Sequence, residues 1–182
     1  KPTVLIGTSG QAGAFTEPAV RAMAAAAPAP LIWPLSNPTS CAEATPSDIL
    51  AWSDGRAVVA TGSPFAPVAV DGRSRTISQA NNVYIFPGVG LAAIAGHLKS
   101  VPDEAFIVAA KRLAALTAQS APAGGALYPP LADLRAISRE IAVAVIEAGA
   151  TAGWASAADG ARAAELVDGA MWAPNYRAYV PA

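Results

Sequence analysis

The sequence predicts an α/β fold, a partial parallel sheet of about three to four strands followed by C-terminal α-helices. Three observations carry this. Short apolar runs at residues 4–6, 31–33 and 57–60 alternate with stretches that open on helix-start signals. Strand–helix–strand–helix–strand at this spacing implies right-handed crossovers, and therefore parallel strands. Beyond Pro102 the strand signals stop and the pattern is nearly all helical.

Val4, Leu5 and Ile6 read as a short buried strand that ends at Gly7. Thr16 stands where an N-cap belongs, with Pro18 in the first turn of a helix running to about Ala27. Pro28 and Pro30 stop it, and Leu31, Ile32 and Trp33 form a second strand ending near Ser36. Thr45 caps a short helix with Pro46 at its first position. Asp48 in that first turn suits the positive end of the helix dipole. Gly55 closes the helix, and residues 57–60 make a third strand. Val68, Ala69 and Val70 are expected to pair with Arg75, Thr76 and Ile77 around Asp71 and Gly72. Residues 83–86 fit either a fourth strand or the opening turn of a helix that runs to about Leu98, because periodicity cannot decide over four residues. Further helices are expected at about 103–119, 131–148 and 159–169, the first two separated by Gly124, Gly125, Pro129 and Pro130. The tail from Ala173, with Tyr176 and Tyr179, reads as extended and docked on a neighbouring surface.

Composition narrows the function. Hydrophobic residues make up 53 % and charged residues 14 % of the 182, which excludes a solvated, disordered chain and suggests that some surface packs on another domain or subunit. Twelve basic residues against thirteen acidic ones leave no electrostatic footprint for nucleic acid. Cys41 and His97 are each alone, so a disulfide, an HExxH motif and a Cys-based zinc site are excluded or disfavoured. A single cysteine fits a reducing cytoplasm. The apolar window at 141–158 contains Glu147, two glycines and Thr151, and reads as a buried helix and its exit, not a membrane span. With no initiator Met and a core strand by Val4, the chain is expected to be a fragment whose upstream partner is missing.

In an open parallel sheet, ligands bind beyond the carboxyl ends of the strands. The residues there are Gly7 to Gly13, Ser36, Asn37 and Pro38, and Gly62, Ser63 and Pro64: small, polar and uncharged. Gly7, Gly10 and Gly13 follow a strand and precede a helix, so their amides could meet a dinucleotide. Their GxxGxxG spacing is not the usual GxGxxG, and a plain strand-to-helix turn is the competing reading. Asn37 has a backbone restricted by Pro38 and is either a ligand-orienting amide or a turn residue bonding its own backbone. Asn81 and Asn82 precede an apolar run, Pro87, Gly88 and Gly90. They could grip a carboxylate, ribose or carboxamide, or simply form an Asx-type turn into a core helix.

Elsewhere the bland reading is preferred. Cys41 has no His near it in sequence, and His97, late in a helix beside Lys99, is read as a partner of the helix dipole. Asp103 and Glu104 are explained by the dipole they open. Asp133 with Arg135, and Arg139 with Glu140, read as helix-surface charges. No carboxylate cluster has the pattern of a metal site, and no catalytic residue is assigned in this chain.

Six motifs in order resemble those of malic enzymes: GTSGQAGAF from Gly7, PLSNPTS from Pro34, ATGSPFAPV from Ala60, NNVYIFPG from Asn81, GALYPPLADLR from Gly125 and MWAPNYRAYV from Met171. The resemblance runs from Leu5 nearly to the last residue and covers the C-terminal part of the enzyme only. It implies a three-layer Rossmann-like domain whose C-terminal half is residues 1–100, with residues 101–182 a helical segment and extended tail packed on it. It implies that Gly7, Thr8, Ser9 and Gly10 form the second glycine turn, facing the cofactor near its nicotinamide half. Asn37 matches an asparagine at the nicotinamide ribose, close to malate, and Asn81 and Asn82 match a pair that bonds substrate and cofactor. The implied chemistry is oxidative decarboxylation of malate to pyruvate and carbon dioxide with NAD or NADP and Mg2+ or Mn2+. The lysine and tyrosine acid–base pair, the three carboxylate metal ligands and the segment that selects the cofactor lie upstream in that family. The chain is therefore expected to be inactive alone, to self-associate, and to belong to a homo-oligomer. A stand-alone nucleotide-binding module and a purely structural subunit-contact piece are the alternatives.

Overall fold

The structure is a computed structural model that describes residues 1–120 and 126–173. It contains two compact units, Lys1–Asn81 with Thr117–Pro129, and Asn82–Leu116 with the described residues beyond Pro130.

The first unit is built on β1 (Val4–Gly7), α1 (Glu17–Ala26), β2 (Leu31–Pro34), α2 (Pro46–Trp52) and β3 (Val58–Thr61). A hairpin of β4 (Val68–Val70) and β5 (Arg73–Arg75) follows, then β6 (Ser78–Gln79). The sheet order is β1-β2-β3-β6 and every pair is parallel, with Ile6 opposite Trp33, Leu31 opposite Val58 and Ala60 opposite Ser78. Val20 and Met23 of α1 and Ile49 and Leu50 of α2 bury against Ile32 and Val59 of the sheet, with Phe15 and Ile77 completing the cluster. Thr45 caps α2 as expected, its Oγ1 accepting the Asp48 N–H at 3.2 Å. Thr16 holds the extended N-cap backbone of α1, but its side chain makes no cap bond.

Two expectations need correction here, and one open alternative is decided. Val4 and Ile6 are 46 % and 54 % exposed, not buried, because β1 is the edge of the described sheet and only Leu5 of this run turns toward the core. The hairpin closes two residues earlier than expected. Asp71 and Gly72 both have positive φ, 50° and 73°, so Arg73 already pairs with Val70, and Ile77 is released into the core. The fourth strand is Ser78–Gln79, too short and polar to show in sequence. Residues 83–86 take their other reading, a 3-10 turn at Asn82–Tyr84 that opens a helix.

The second unit holds α3 (Phe86–Ala95), α4 (Asp103–Ser120) as far as Leu116, α5 (Leu134–Ala152), α6 (Ala157–Ala161) and α7 (Ala163–Ala170). Ile137, Ile141, Val145, Ala142 and Ile146 line one face of α5 at helical spacing and are fully or almost fully buried. Helix α3 packs on that face through its small residues. A Cβ on Gly88 would lie 2.7 Å from Ile141 Cγ2, and one on Gly96 would lie 2.6 Å from Ile146 Cγ1. Gly96 caps α3, and His97 follows with φ 45°, so His97 lies beyond the helix end, not late within it. The expected last helix is two, capped by Ser156 and broken at Arg162. Arg139 and Glu140 are more than surface charges. Glu140 pairs with Arg112 of α4 and with Arg139, and Arg139 grips Asp168 of α7 through Nε at 2.5 Å and Nη2 at 2.7 Å. Sequence shows which residues are charged but not which distant helix supplies the partner. Asp133 and Arg135 are exposed. No helix among the described residues is long and apolar enough to cross a membrane. Gly124, Gly125, Tyr176 and Tyr179 lie outside the described residues.

Because α5 supplies the centre of the second core, Ile146→Ala should lower unfolding free energy by about 2–5 kcal/mol in a denaturant melt. Ile94→Ala, at a side chain 75 % exposed, should change it by less than about 0.5 kcal/mol. Equal losses would show that α5 is not the core helix.

Candidate functional site

The carboxyl ends of β1, β2 and β3 lie side by side, as the parallel register requires. Backbone bonds carry the stitching past the strands: Leu35 N–H donates to the Gly7 carbonyl at 2.9 Å, Gly62 N–H to that of Pro34 at 3.2 Å, and Ala80 N–H to that of Thr61 at 2.8 Å. Gly62 has no room for a side chain, since a Cβ there would sit 2.0 Å from the Leu35 carbonyl oxygen. The second and third strand exits therefore approach backbone to backbone.

Under the first two exits lies Glu43, wholly buried and the only charged side chain buried among the described residues. No cation among the described residues answers it. Its Oε1 accepts from Ser9 N–H at 2.8 Å, Ser9 Oγ at 2.9 Å and Ser36 Oγ at 2.5 Å, and its Oε2 from Ser36 N–H at 3.4 Å. Ser36 Oγ in turn accepts from Gly10 N–H at 2.8 Å, and Ser9 Oγ accepts from Gln11 N–H at 3.1 Å. Burial pushes the carboxyl upward. Bonds from the Ser36 hydroxyl, the Ser9 N–H, its own N–H and the Ser9 hydroxyl outweigh that and hold it at about 2, below the ordinary 4.5. Gly7 makes the space, because a Cβ there would meet Glu43 Cδ at 2.5 Å and Phe15 Cζ at 2.7 Å. Sequence reading missed Glu43. Its one signal was a lone acid between Ala42 and Ala44 in a run of small residues.

Asn37 follows Ser36 at the mouth of this arrangement, exposed, with a cis bond to Pro38. Its Nδ2 donates to the Leu35 carbonyl at 3.3 Å and its Oδ1 accepts from the Ser63 hydroxyl, which joins the second exit to the third. The structure thus brings Gly7, Ser9 and Gly10, with Thr8 between them, beside Ser36, Asn37 and Ser63. Asn81 closes this unit, exposed, and Asn82 opens the second one, where its carbonyl accepts the Ile85 N–H at 3.0 Å. Cys41 is a half-buried free thiol in a 3-10 turn. Among the described residues no group of three or more His, Cys, Asp or Glu could hold a metal ion.

A parallel sheet crossed by helices, with a glycine turn and small polar residues at its strand exits, is the Rossmann-like class, whose ligands bind at that edge. Residues 1–150 match the family model described as malic enzyme, NAD binding domain, and the chain belongs to that family. It is 45 % identical over 179 residues to an NAD-dependent malic enzyme of Sodalis glossinidius, covering 98 % of this chain and 32 % of that protein. An NAD-dependent malic enzyme of Pseudomonas savastanoi is 45 % identical over 177 residues, 97 % of this chain and 31 % of that one. The chain thus spans about a third of the length of the curated relatives it matches. The solved malic enzyme of Entamoeba histolytica superposes with a TM-score of 0.72 at 20 % identity, over 93 % of this chain and 32 % of that chain. That of Pyrococcus horikoshii gives 0.66 at 22 %, over 91 % and 35 %. At such identities the superpositions show the fold alone.

The depressed Glu43 carboxyl sets the sign of a pH effect. Its folded value lies below its unfolded one, so its contribution is complete above pH 4.5 and lost as pH falls toward about 2. At ~1.4 kcal/mol per unit this is on the order of 3 kcal/mol. The unfolding free energy of the wild type minus that of Glu43→Gln should therefore narrow between pH 4.5 and 2. A difference that stays constant through that window would rule the network out as the cause.

Proposed function

We propose that this chain is the C-terminal half of the cofactor domain of a malic enzyme, together with its C-terminal helices, and that the whole protein converts malate to pyruvate and carbon dioxide with NAD. The observation that carries the reading is 45 % identity, over nearly the whole chain, to relatives named NAD-dependent malic enzymes. We place the half-domain at residues 1–100 and the helical segment and tail at 101–182.

NAD supplies the hydride acceptor when bound, and the chain's own residues orient it. Asn37 is suited to this because its amide is fixed. One of its two N–H groups is committed to Leu35 and its oxygen takes the Ser63 hydroxyl, which leaves one donor and one lone pair aimed outward. Asn81 and Asn82 offer uncharged amides at the start of the next helix, and the turn of Gly7, Thr8, Ser9 and Gly10 faces the cofactor. The implied Mg2+ or Mn2+ finds no fitting donor set among the described residues. Its ligands, like the acid–base pair, belong to the preceding part of the parent, and no step is assigned to them here. The exposed Val4 and Ile6 leave an apolar face on β1, and its outer edge is unpaired among the described residues, which fits further protein packing there. We assign the parent to the cytoplasm, which the single cysteine of this chain fits, and to a homo-oligomer, which the exposed apolar surface fits.

The test is reduction of NAD by malate with manganese present, comparing this chain with the complete parent protein. Only the complete protein should turn over. In it, Asn37→Ala and Asn82→Ala should each lower kcat/KM by at least about tenfold, the loss of one substrate-held hydrogen bond, with unchanged melting. Turnover by this chain alone, or none by the complete protein, would overturn the proposal.

A further inference from the structure

The hydrogen bonds of Glu43 keep it charged and add to stability, but stability alone does not require a carboxylate at this place. A carboxylate with no cation partner gains only from its hydrogen bonds, and an apolar side chain of similar volume commonly does as well or better in such a place. What the carboxylate does instead is direct donors inward. Ser9 N–H and Ser36 N–H point to it, Gly10 N–H points to the Ser36 hydroxyl that it holds, and Gln11 N–H points to the Ser9 hydroxyl that it also holds. A glycine turn that binds phosphate does the reverse and presents convergent N–H groups outward. In this turn the N–H groups of Ser9, Gly10 and Gln11 are already taken, and a buried negative charge lies behind them.

We propose that Glu43 is a positioning residue that locks the turn of Gly7 to Gly10 onto the Ser36–Asn37 exit, and that its charge makes this turn, which the resemblance sets near the nicotinamide half of the cofactor, selective for that half over the phosphates. The proposal rests on the function proposed above. Charge selects the end: of the parts of the cofactor, the oxidised nicotinamide ring alone is cationic, and a fixed anion behind the turn favours it. The carboxylate acts through Ser9 and Ser36 and touches no ligand itself.

The experiment uses the complete parent protein and two probes, NAD and ADP-ribose, which shares the phosphates and adenosine but lacks nicotinamide. Glu43→Gln keeps the shape and places an amide NH2 against donors. Its Kd for NAD, by fluorescence titration, should rise about tenfold, the value of one charge-assisted hydrogen bond, while that for ADP-ribose stays within about twofold. Equal weakening of both probes would mean that Glu43 only holds the fold, and no change in either would mean that it positions nothing. Each result overturns the proposal. Where Glu43→Gln does not fold, Ser36→Ala keeps the carboxylate and removes the acceptor of Gly10. It should weaken NAD about threefold and spare ADP-ribose, and failure to separate the two probes overturns the proposal equally. A wild-type parent that binds no NAD would bring down the functional reading and this proposal together. A parent that binds NAD, with Glu43→Gln indistinguishable from it, brings down this proposal alone.

Discussion

A carboxylate taken out of water with no cation beside it must be answered by donors, and the donors available near Glu43 are those of two strand exits. That requirement explains several choices that otherwise look unrelated. Gly7 has no side chain because the Glu43 carboxyl occupies its space. Serine stands at 9 and at 36 because each supplies both a backbone N–H and a hydroxyl to the same group. The ends of β1 and β2 are thereby fixed to each other without a bulky or charged side chain at the surface. The rim stays small and neutral, and the exposed Asn37 follows directly on Ser36.

The second unit solves a different problem with a different constraint, close approach of helices. Gly88 and Gly96 let α3 lie against Ile141 and Ile146 of α5, and alanines at 92 and 95 keep that face shallow. Such a surface carries little shape information of its own, since small residues permit several crossings. The chain of charges from Arg112 through Glu140 and Arg139 to Asp168 restricts which crossing is taken, because it links α4, α5 and α7 in one arrangement. These ion pairs are a third to a half exposed, so geometry, more than energy, is what they contribute.

The legible parts of the sequence were those governed by local chemistry. Thr45 with Pro46 and Asp48, and the apolar run at Leu31 and Ile32, each specify structure within a few residues, and the elements fell where those signals lie. The signals that failed were those whose meaning depends on distant neighbours. Val4 and Ile6 are apolar, which marks a strand but not whether its outer face is covered. Ser78 and Gln79 become a strand only because β3 offers an open edge. Asp71 and Gly72 announced the hairpin, but the register followed from backbone torsions that two letters do not give. Glu43 was invisible for the strongest version of the same reason: a glutamate among alanines is unremarkable until Ser9 and Ser36, distant in sequence, are seen to converge on it.

The asparagines show how family resemblance and physical reading divide the work. Resemblance singled out Asn37, Asn81 and Asn82 together, on motif alone. The structure shows how the first of them is supported. Asn37 is anchored at both ends of its amide, by Leu35 and by Ser63, on a strand exit that Glu43 and Gly62 hold in place. An amide held in this way can orient a ligand with little loss of rotamer freedom on binding, whereas a loosely held one must first be ordered. Under the proposed function, Asn37 is therefore well suited to orient a bound cofactor from the first unit. The same proposal makes the buried carboxylate behind it a support of that surface, which it holds through Ser9 and Ser36 without reaching it.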